Sequence, residues 1–240
     1  MSRTIAVQMD NVGLRLGSRA FHFDVSLEEG TITSVAGPSG SGKSTLLNLV
    51  AGFEQPDSGR VLIGGTDVTG RHPAERPVSI VFQDNNLFAH LDLFTNVGLG
   101  INPSLRLAAQ DRAAVSSALA RVGLPGYERR MPATLSGGER QRAAFARALV
   151  RRKPVLLLDE PFAALDPGLR ASMADLLIEM HQETGITVLI VSHDPQEVFR
   201  LSQNVLFVVD GRIAVDASRE DFFAISGNLE VDAFRGNGPP

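Results

Sequence analysis

The chain has 240 residues, of which 43% are hydrophobic and 21% charged, and it contains no cysteine. This composition is typical of a globular protein, and it excludes disulfide frameworks, cysteine nucleophiles and thiolate metal sites. The formal net charge of −4 argues against a protein that neutralises phosphates along a nucleic acid. We therefore expect one globular domain that has a sizeable core and no nucleic-acid partner.

Nothing in the sequence is long and apolar enough to predict a membrane span. The strongest apolar runs, 155–158 and 188–191, are four residues each and are typical of buried strands. Residues 1–8 lack the apolar segment of a signal peptide. We expect a cytosolic protein that connects to a membrane only through a partner.

The first half of the chain predicts a strand, loop and helix unit. Alternating apolar residues over 5–9 and 21–27 predict two antiparallel strands. A third strand over 31–36 then leads into a glycine-rich loop, and an amphipathic helix follows over 44–51. This order is typical of a nucleotide-binding α/β domain.

The middle of the chain predicts helices only, and the α/β pattern returns after it. Residues 107–122 have helical spacing, and no segment within 86–130 has the pattern of a strand. We interpret about 86–150 as a helical subdomain inserted in the α/β core. Further elements are expected in the last third, with fraying over about the last 15 residues: strands at 155–160, 187–192 and 205–209, and helices at 167–183 and 195–201.

The glycine-rich loop matches the phosphate-binding pattern G-x-x-x-x-G-K-[ST] in the strand, loop and helix context that this pattern requires. Glycine-rich backbone can turn its N–H groups inward around phosphate oxygens, and the following helix adds its N-terminal dipole. Lys43 would meet the β- and γ-phosphates, and the Ser44 hydroxyl would bind Mg²⁺. The predicted nucleotide-binding residues are Gly37, Pro38, Ser39, Gly40, Ser41, Gly42, Lys43, Ser44 and Thr45.

Two carboxylates follow a buried strand, at the edge where open α/β sheets bind ligands. Adjacent strand residues point to opposite sides, so Asp159 is the candidate Mg²⁺ ligand and Glu160 the candidate general base. Taken alone, the pair could equally be surface carboxylates that cap the next turn. His193 ends another strand of this sheet and is a candidate γ-phosphate contact, with a structural histidine as the alternative.

A second anion site is predicted where Leu135 to Glu139 begin a helix. Ser136 and Glu139 have the spacing of a capping box, which by itself would explain only a well-capped helix. Gly137 and Gly138 cost helix propensity, about 1 kcal/mol each, and they leave bare N–H groups beside a serine hydroxyl. A nucleotide held by the phosphate loop could use this site only if the two sites approach one another.

Together these motifs resemble the ATP-binding-cassette ATPases over nearly the whole chain and in the same order. The resemblance implies a phosphate-loop NTPase core of RecA-like type with a mainly parallel sheet, an N-terminal antiparallel β subdomain and an inserted helical subdomain. It implies that the whole chain, 1–240, is one ATPase domain without a C-terminal regulatory domain. The implied ligands are ATP and Mg²⁺. The matching pieces are Gly37 to Thr45, Gln83, Leu135 to Glu139, Val155 to Glu160, Ala164 to Asp166 and His193.

In this family two cassettes pair head to tail, and each ATP lies between the phosphate loop of one chain and the signature of the other. The resemblance therefore implies that Ser136, Gly137 and Gly138 act on the partner's nucleotide, with Asp166 at the dimer seam. Gln83 would sense Mg²⁺ and the attacking water. One departure concerns the base: the family usually places an aromatic residue near 13–16, whereas Phe21 is the nearest aromatic here.

The segment around the helical subdomain bears on what the ATPase drives. Residues 76–103 look like those of the ATPase subunit of bacterial thiamine importers. The resemblance implies a separate membrane permease that contacts 83–103, an indirect periplasmic binding protein, and a peripheral location on the cytoplasmic face of the inner membrane. The alternatives are another small-molecule importer, an exporter or a lipoprotein-releasing complex. A chromosome-maintenance ATPase would need a long coiled coil between the phosphate loop and the carboxylate strand, and the sequence has no heptads there.

Overall fold

A computed structural model of the chain describes residues 4–83 and 86–236. The chain divides into two units. The first contains the residues up to Val78, residues 154–159 and the residues from His181 onward. The second contains residues 79–153 and 160–180.

The described residues form ten strands and eight α-helices. The strands are β1 Ile5–Leu16, β2 Arg19–Glu28, β3 Ile32–Ala36, β4 Ser58–Ile63, β5 Thr66–Asp67, β6 Val78–Val81, β7 Val155–Asp159, β8 Thr187–Val191, β9 Asn204–Val209 and β10 Arg212–Ser218. The helices are α1 Lys43–Ala51, α2 Leu93–Gly98, α3 Ala109–Arg121, α4 Gly137–Val150, α5 Pro167–Thr184, α6 Pro195–Leu201, α7 Arg219–Ala224 and α8 Leu229–Phe234.

In the first unit the strands form one mixed sheet in the order β5-β4-β1-β2-β10-β9-β3-β8-β7. The pairs β9-β3, β3-β8 and β8-β7 are parallel, whereas β1 is antiparallel to both β2 and β4. In the parallel part every residue of β3 and of β8 is buried, as expected for strands covered on both faces. The predicted fold class, an α/β phosphate-loop core with an N-terminal antiparallel part, is confirmed.

The antiparallel part is longer than the alternation predicted. The strand β1 continues past residue 9 because a bulge shifts its register against β2 between Met9 and Val12. Within this bulge Asn11 adopts a left-handed backbone, with φ of 49°. An extra residue reverses the in-and-out pattern, so the sequence alternation ends there although the strand does not.

The helix α1 ends in a cluster of backbone carbonyls that a buried arginine satisfies. Arg76 is fully buried, and its guanidinium donates to the carbonyls of Leu49 and Val50 over 2.7 and 3.0 Å. It also donates to the carbonyl of Thr69 over 2.9 Å. Burial lowers the pKa of Arg76 from its usual value. The last carbonyls of a helix lack intrahelical partners, so this cation stabilises the helix that follows the phosphate loop.

Residues 226–236 correct the fraying expected over about the last 15 residues, whereas residues 237–240 lie outside the described residues. Within the last 15 residues α8 places Val231 fully in the core, and the ring of Phe234 packs edge-on against Phe207 with centroids 5.7 Å apart. Asn228 caps this helix by accepting from the amides of Glu230 and Val231. The Gly and Pro residues at the terminus suggested fraying, but apolar residues before them bury against β9.

In the second unit α2, α3 and α4 pack on one another. The contact face of α4 contains mostly alanine, with Phe145 buried among them, which allows close helix approach. Arg142 of α4 donates to the carbonyls of Val122 and Gly123 over 3.0 and 2.9 Å, and so satisfies the end of α3. Within the part of the chain that the structure describes, none of the helices has the length and apolar character needed to cross a membrane.

Candidate functional site

The phosphate loop joins β3 to α1, as the sequence predicted. The Lys43 ammonium is buried and donates to the carbonyls of Gly37 and Pro38 over 3.0 and 2.8 Å. Arg19, at the start of β2, donates to the carbonyl of Gly40 over 3.1 Å. Three loop carbonyls are therefore bound to cations, and the first amides of α1, which lack intrahelical acceptors, lie at the loop's end.

Glycine is required at two loop positions for steric reasons. Gly37 has φ of 141°, and a Cβ there would lie 2.1 Å from the carbonyl oxygen of Val208. Gly42, with φ of 111°, is the residue before α1, and a Cβ there would lie 2.8 Å from the ring of Phe21. The aromatic residue nearest to the expected base-stacking position is thus buried under the loop, whereas Leu16 is exposed.

A cavity of about 400 Å³ opens beside the loop within the first unit. Arg19, Phe21 and the loop residues 38–41 line it, together with Asp210 and Glu230. The Ser41 hydroxyl next to it is buried without a hydrogen-bond partner among residues 4–83 and 86–236. Arg19 was not expected to contact the loop, because its partner is a carbonyl 21 residues away and no local motif marks it.

Three strand ends bring predicted site residues to one edge of the parallel sheet. The register pairs Val35 of β3 with Val191 of β8, and Val191 with Asp159 of β7. The strands therefore end level, just before the phosphate loop, His193 and Glu160. The Ser44 hydroxyl lies 3.2 Å from Oδ1 of Asp159, so two of the predicted Mg²⁺ ligands are in contact. His193 is exposed at this edge.

Glu160 lies outside the strand that was predicted to carry it. The strand β7 ends at Asp159, and Glu160 has a left-handed backbone with φ of 46°. The strand alternation argument for separating the two carboxylates therefore does not apply beyond Asp159, since a change of backbone conformation separates them instead. Glu160 belongs to the second unit and is partly buried, and Gln83, of the same unit, is exposed.

The predicted signature has both bonds of a capping box. The Ser136 hydroxyl accepts from the Glu139 amide over 3.2 Å, and the Glu139 carboxylate accepts from the Ser136 amide over 2.8 Å. The hydrogen bond from the Ser136 backbone amide holds the pKa of Glu139 below its usual value. Because the hydroxyl already accepts a bond, its hydrogen remains to be donated, and Ser136 is exposed at the start of α4.

The segment after Glu160 contacts the start of α4 within the second unit. A Cβ on Gly138 would lie 3.1 Å from Cδ2 of Leu165, so the glycine permits this approach. The next residue, Asp166, is exposed and accepts from the amide of Leu169 over 3.0 Å. Gly138 is therefore needed for packing against Leu165. Among the described residues no comparable contact faces Gly137, so packing does not require a glycine there.

Within the segment predicted to contact a permease, one buried side-chain amide binds the backbone of the turn at 88–92, and residues 84 and 85 lie outside the described residues. Asn96 of α2 is fully buried and accepts from the amide of Phe88 over 2.7 Å. It donates to the carbonyls of Phe88, Leu91 and Asp92. The ring of Phe88 is 48% exposed, so this turn presents an aromatic side chain on a fixed backbone.

The edge of the parallel sheet, the phosphate loop and the helix α1 that begins after Gly42 define a phosphate-loop nucleotide-binding domain. The ABC transporter family model matches residues 21–163, and the chain belongs to this family. It is therefore an ATP-binding cassette, and its chemistry is ATP hydrolysis.

Individual relatives and solved structures agree with this assignment. The chain is 57% identical over 231 residues to the thiamine import ATP-binding protein ThiQ of Mesorhizobium japonicum, covering 96% of this chain and 90% of the relative. It is 53% identical over 237 residues to the ThiQ of Rhizobium meliloti, covering 99% of both chains. The ATP-binding cassette MJ0796, in a dimeric post-hydrolysis state bound to ADP and Pi, has a TM-score of 0.81 and 30% identity, covering 89% of this chain and 98% of that chain.

Proposed function

We propose that this chain is the ATP-binding subunit of an importer for thiamine or thiamine phosphates, and that it hydrolyses ATP as a head-to-tail dimer. The observation that carries the proposal is the identity of 57% and 53%, over nearly the full length, to relatives named thiamine import ATP-binding proteins. The proposal treats 1–240 as one ATPase domain, in which about 86–150 is the helical subdomain.

In this proposal the phosphate loop, residues Gly37 to Thr45, holds the triphosphate. The Lys43 ammonium is already placed by two loop carbonyls, so it can reach phosphate oxygens without first being ordered. Ser44, Asp159 and Gln83 would hold Mg²⁺. The contact between the Ser44 hydroxyl and the Asp159 carboxylate supports this role, because Mg²⁺ prefers a few oxygen ligands and completes its shell with phosphates and water. When bound, the ion neutralises phosphate charge.

The hydrolytic roles fall to Glu160, His193 and Gln83. Glu160 accepts a proton from the attacking water, Gln83 orients that water, and His193 donates a hydrogen bond to the γ-phosphate. Lys43 stabilises the charge that develops on the phosphate oxygens. The level strand ends support a common site for Asp159 and His193, since Asp159 is the last residue of β7 and His193 follows β8 of the parallel sheet.

The second half of each ATP site comes from the other cassette. Ser136, Gly137 and Gly138 would bind the partner's γ-phosphate through the serine hydroxyl and the bare amides at the start of α4. Asp166 would lie at the dimer seam. The capping box supports this role, since it leaves the Ser136 hydrogen available for an anion.

The remaining partners are a separate membrane permease that contacts 83–103 and, indirectly, a periplasmic substrate-binding protein. The chain would then act as a peripheral protein on the cytoplasmic face of the inner membrane. The exposed ring of Phe88 on its fixed turn supports a protein contact at this segment.

The test uses Glu160→Gln, which keeps the size of the side chain and removes its basicity. Loss of a general base costs about 100-fold to 10,000-fold in rate. We expect ATP affinity close to wild type, a loss of turnover of at least about 100-fold, and an ATP-dependent dimer in sedimentation. A variant that remains monomeric at saturating ATP would contradict the trans site, and a variant that turns over normally would contradict the role of Glu160.

The substrate is tested separately, with the full complex. Co-purification of this chain with its permease, followed by reconstitution and uptake assays, should show ATP-dependent uptake of thiamine or its phosphates. Uptake of an unrelated solute, or export, would move the assignment to another system of the same family. The Glu160→Gln complex serves as the matched control and should show no uptake.

A further inference from the structure

Gln141 is a buried polar residue in the middle of α4 whose two side-chain groups both bind the same backbone segment. Its side chain is 2% exposed. Its Nε2 donates to the carbonyl of Glu160 over 3.1 Å, and its Oε1 accepts from the amide of Ala164 over 3.3 Å. The amide thus bridges the turn that begins at Glu160.

That turn begins at a backbone conformation which an L-residue avoids. Glu160 has φ of 46°, and a left-handed conformation costs about 1–2 kcal/mol for a residue with a Cβ. Such a conformation persists only where its surroundings hold it. The carbonyl of Glu160 accepts from Gln141 and from the amide of Ala163 over 3.3 Å. Gln141 therefore helps to fix the backbone that aims the Glu160 carboxylate.

The same helix begins with the signature. Ser136 is five residues before Gln141, about 7.5 Å along the helix axis. Near that start, Leu165 packs on Gly138, so the segment that follows Glu160 touches α4 at two levels. A displacement at the first turn of α4 would therefore reach the Glu160 turn through rigid helix and two contacts.

We propose that Gln141 is a positioning residue that couples the two ATP sites of the dimer. The inference rests on the proposed function, in which Ser136 binds the partner's nucleotide and Glu160 is the general base for hydrolysis of the chain's own nucleotide. Gln141 then links the helix that begins at Ser136, which binds the partner's nucleotide, to Glu160, the general base for the chain's own nucleotide. When the partner's phosphate fixes the start of α4, Gln141 holds Glu160 in its working orientation.

A purely structural role of Gln141 would give a different experimental result. Replacing a buried amide that only fills space would lower the stability of the fold and the active fraction together. A positioning role lowers kcat while the affinity for ATP stays, and it weakens the dependence of one site on the other. The Hill coefficient for ATP hydrolysis reports this dependence directly.

The experiment compares the full-length wild type with Gln141→Leu, Gln141→Glu and the control Gln182→Leu, which changes an exposed glutamine of α5. For Gln141→Leu we expect kcat to fall about tenfold or more, which corresponds to about 1.4 kcal/mol in the barrier. The Kd for ATP should stay within about twofold, and the Hill coefficient should fall toward 1 from a wild-type value above 1. Gln182→Leu should match the wild type.

Gln141→Glu separates the two hydrogen bonds. Its carboxylate can still accept from the Ala164 amide but cannot donate to the Glu160 carbonyl, so at neutral pH it should behave as Gln141→Leu does. As the pH falls and this carboxyl is protonated, it can donate again, and the ratio of its kcat to that of the wild type should rise.

Three results would overturn the inference. One is a folded Gln141→Leu with wild-type kcat and Hill coefficient, and another is a loss of activity that matches the loss of folded protein. The third is a wild type that hydrolyses ATP as a dimer without cooperativity. A wild type that neither dimerises nor hydrolyses ATP would instead refute the proposed function, and this inference with it.

Discussion

A Cβ added to Gly52 would lie 2.4 Å from Nε of Arg76. Gly52 has φ of 87° and ends α1, while Arg76 fills the space that a side chain there would need. The position of the buried Arg76 guanidinium at the end of α1 therefore depends on the absence of a side chain at Gly52.

Gly52→Ala should destabilise the fold for two separate reasons. The left-handed backbone costs about 1–2 kcal/mol, and displacement of the Arg76 guanidinium adds about 1–3 kcal/mol. The control is Gly64→Ala, because Gly64 has φ of 55° and open space around its missing Cβ. Urea unfolding should show the larger loss for Gly52→Ala, and equal losses would contradict the steric argument.

Lys43→Met should weaken ATP binding about 10-fold to 100-fold, since a charge-assisted hydrogen bond contributes about 1.5–3 kcal/mol. The methionine has similar length, but it lacks the ammonium that meets the phosphates and that bonds the carbonyls of Gly37 and Pro38. Titration with a fluorescent ATP analogue measures the effect. Lys153→Met, at the only other lysine of the sequence, is the matched control and should bind as the wild type does.

Gly137→Ala should stabilise the fold and still impair the dimer. Alanine favours a helix over glycine by up to about 1 kcal/mol, and the nearest atom to a Cβ at Gly137 is 4.0 Å away. The methyl group would nevertheless stand where the partner's phosphate is proposed to approach the amides. We expect a raised Tm together with less ATP-dependent dimer in sedimentation. An unchanged dimer would argue that the amides of this turn are not used.

The capping box should make stability depend on pH. Because the pKa of Glu139 is lowered in the folded state, its contribution is complete above the unfolded value, about 4.3, and is lost as the pH falls through the folded value. Thermal unfolding should show the wild type above Glu139→Gln at neutral pH, with the difference closing below about pH 4. A difference that stays constant with pH would show that the charge contributes nothing.

Local patterns predicted the positions of the candidate site residues better than those of the side chains that bind the surrounding backbone. The phosphate loop, the carboxylate strand and the signature each have a fixed spacing that the sequence shows, whereas the contact between Ser44 and Asp159 was found only in the structure. Arg19, Arg76 and Gln141 bind backbone carbonyls far away in sequence, and such bonds leave no pattern. The left-handed backbone at Glu160 was missed for a related reason. Glycine is the residue type that usually predicts this conformation in a sequence, and position 160 is a glutamate. The strand β10 was missed because it is short and none of its residues is fully buried, so its apolar alternation is weak.

The carbonyls of the phosphate loop have a consequence for binding thermodynamics. Gly37 and Pro38 bind Lys43, and Gly40 binds Arg19, so the loop's negative groups are already occupied by the protein's own cations. A ligand that enters therefore meets a loop in which these three carbonyls already face cations. If the loop binds the triphosphate as proposed, we expect little further loss of its conformational entropy on binding, because these bonds already order its backbone.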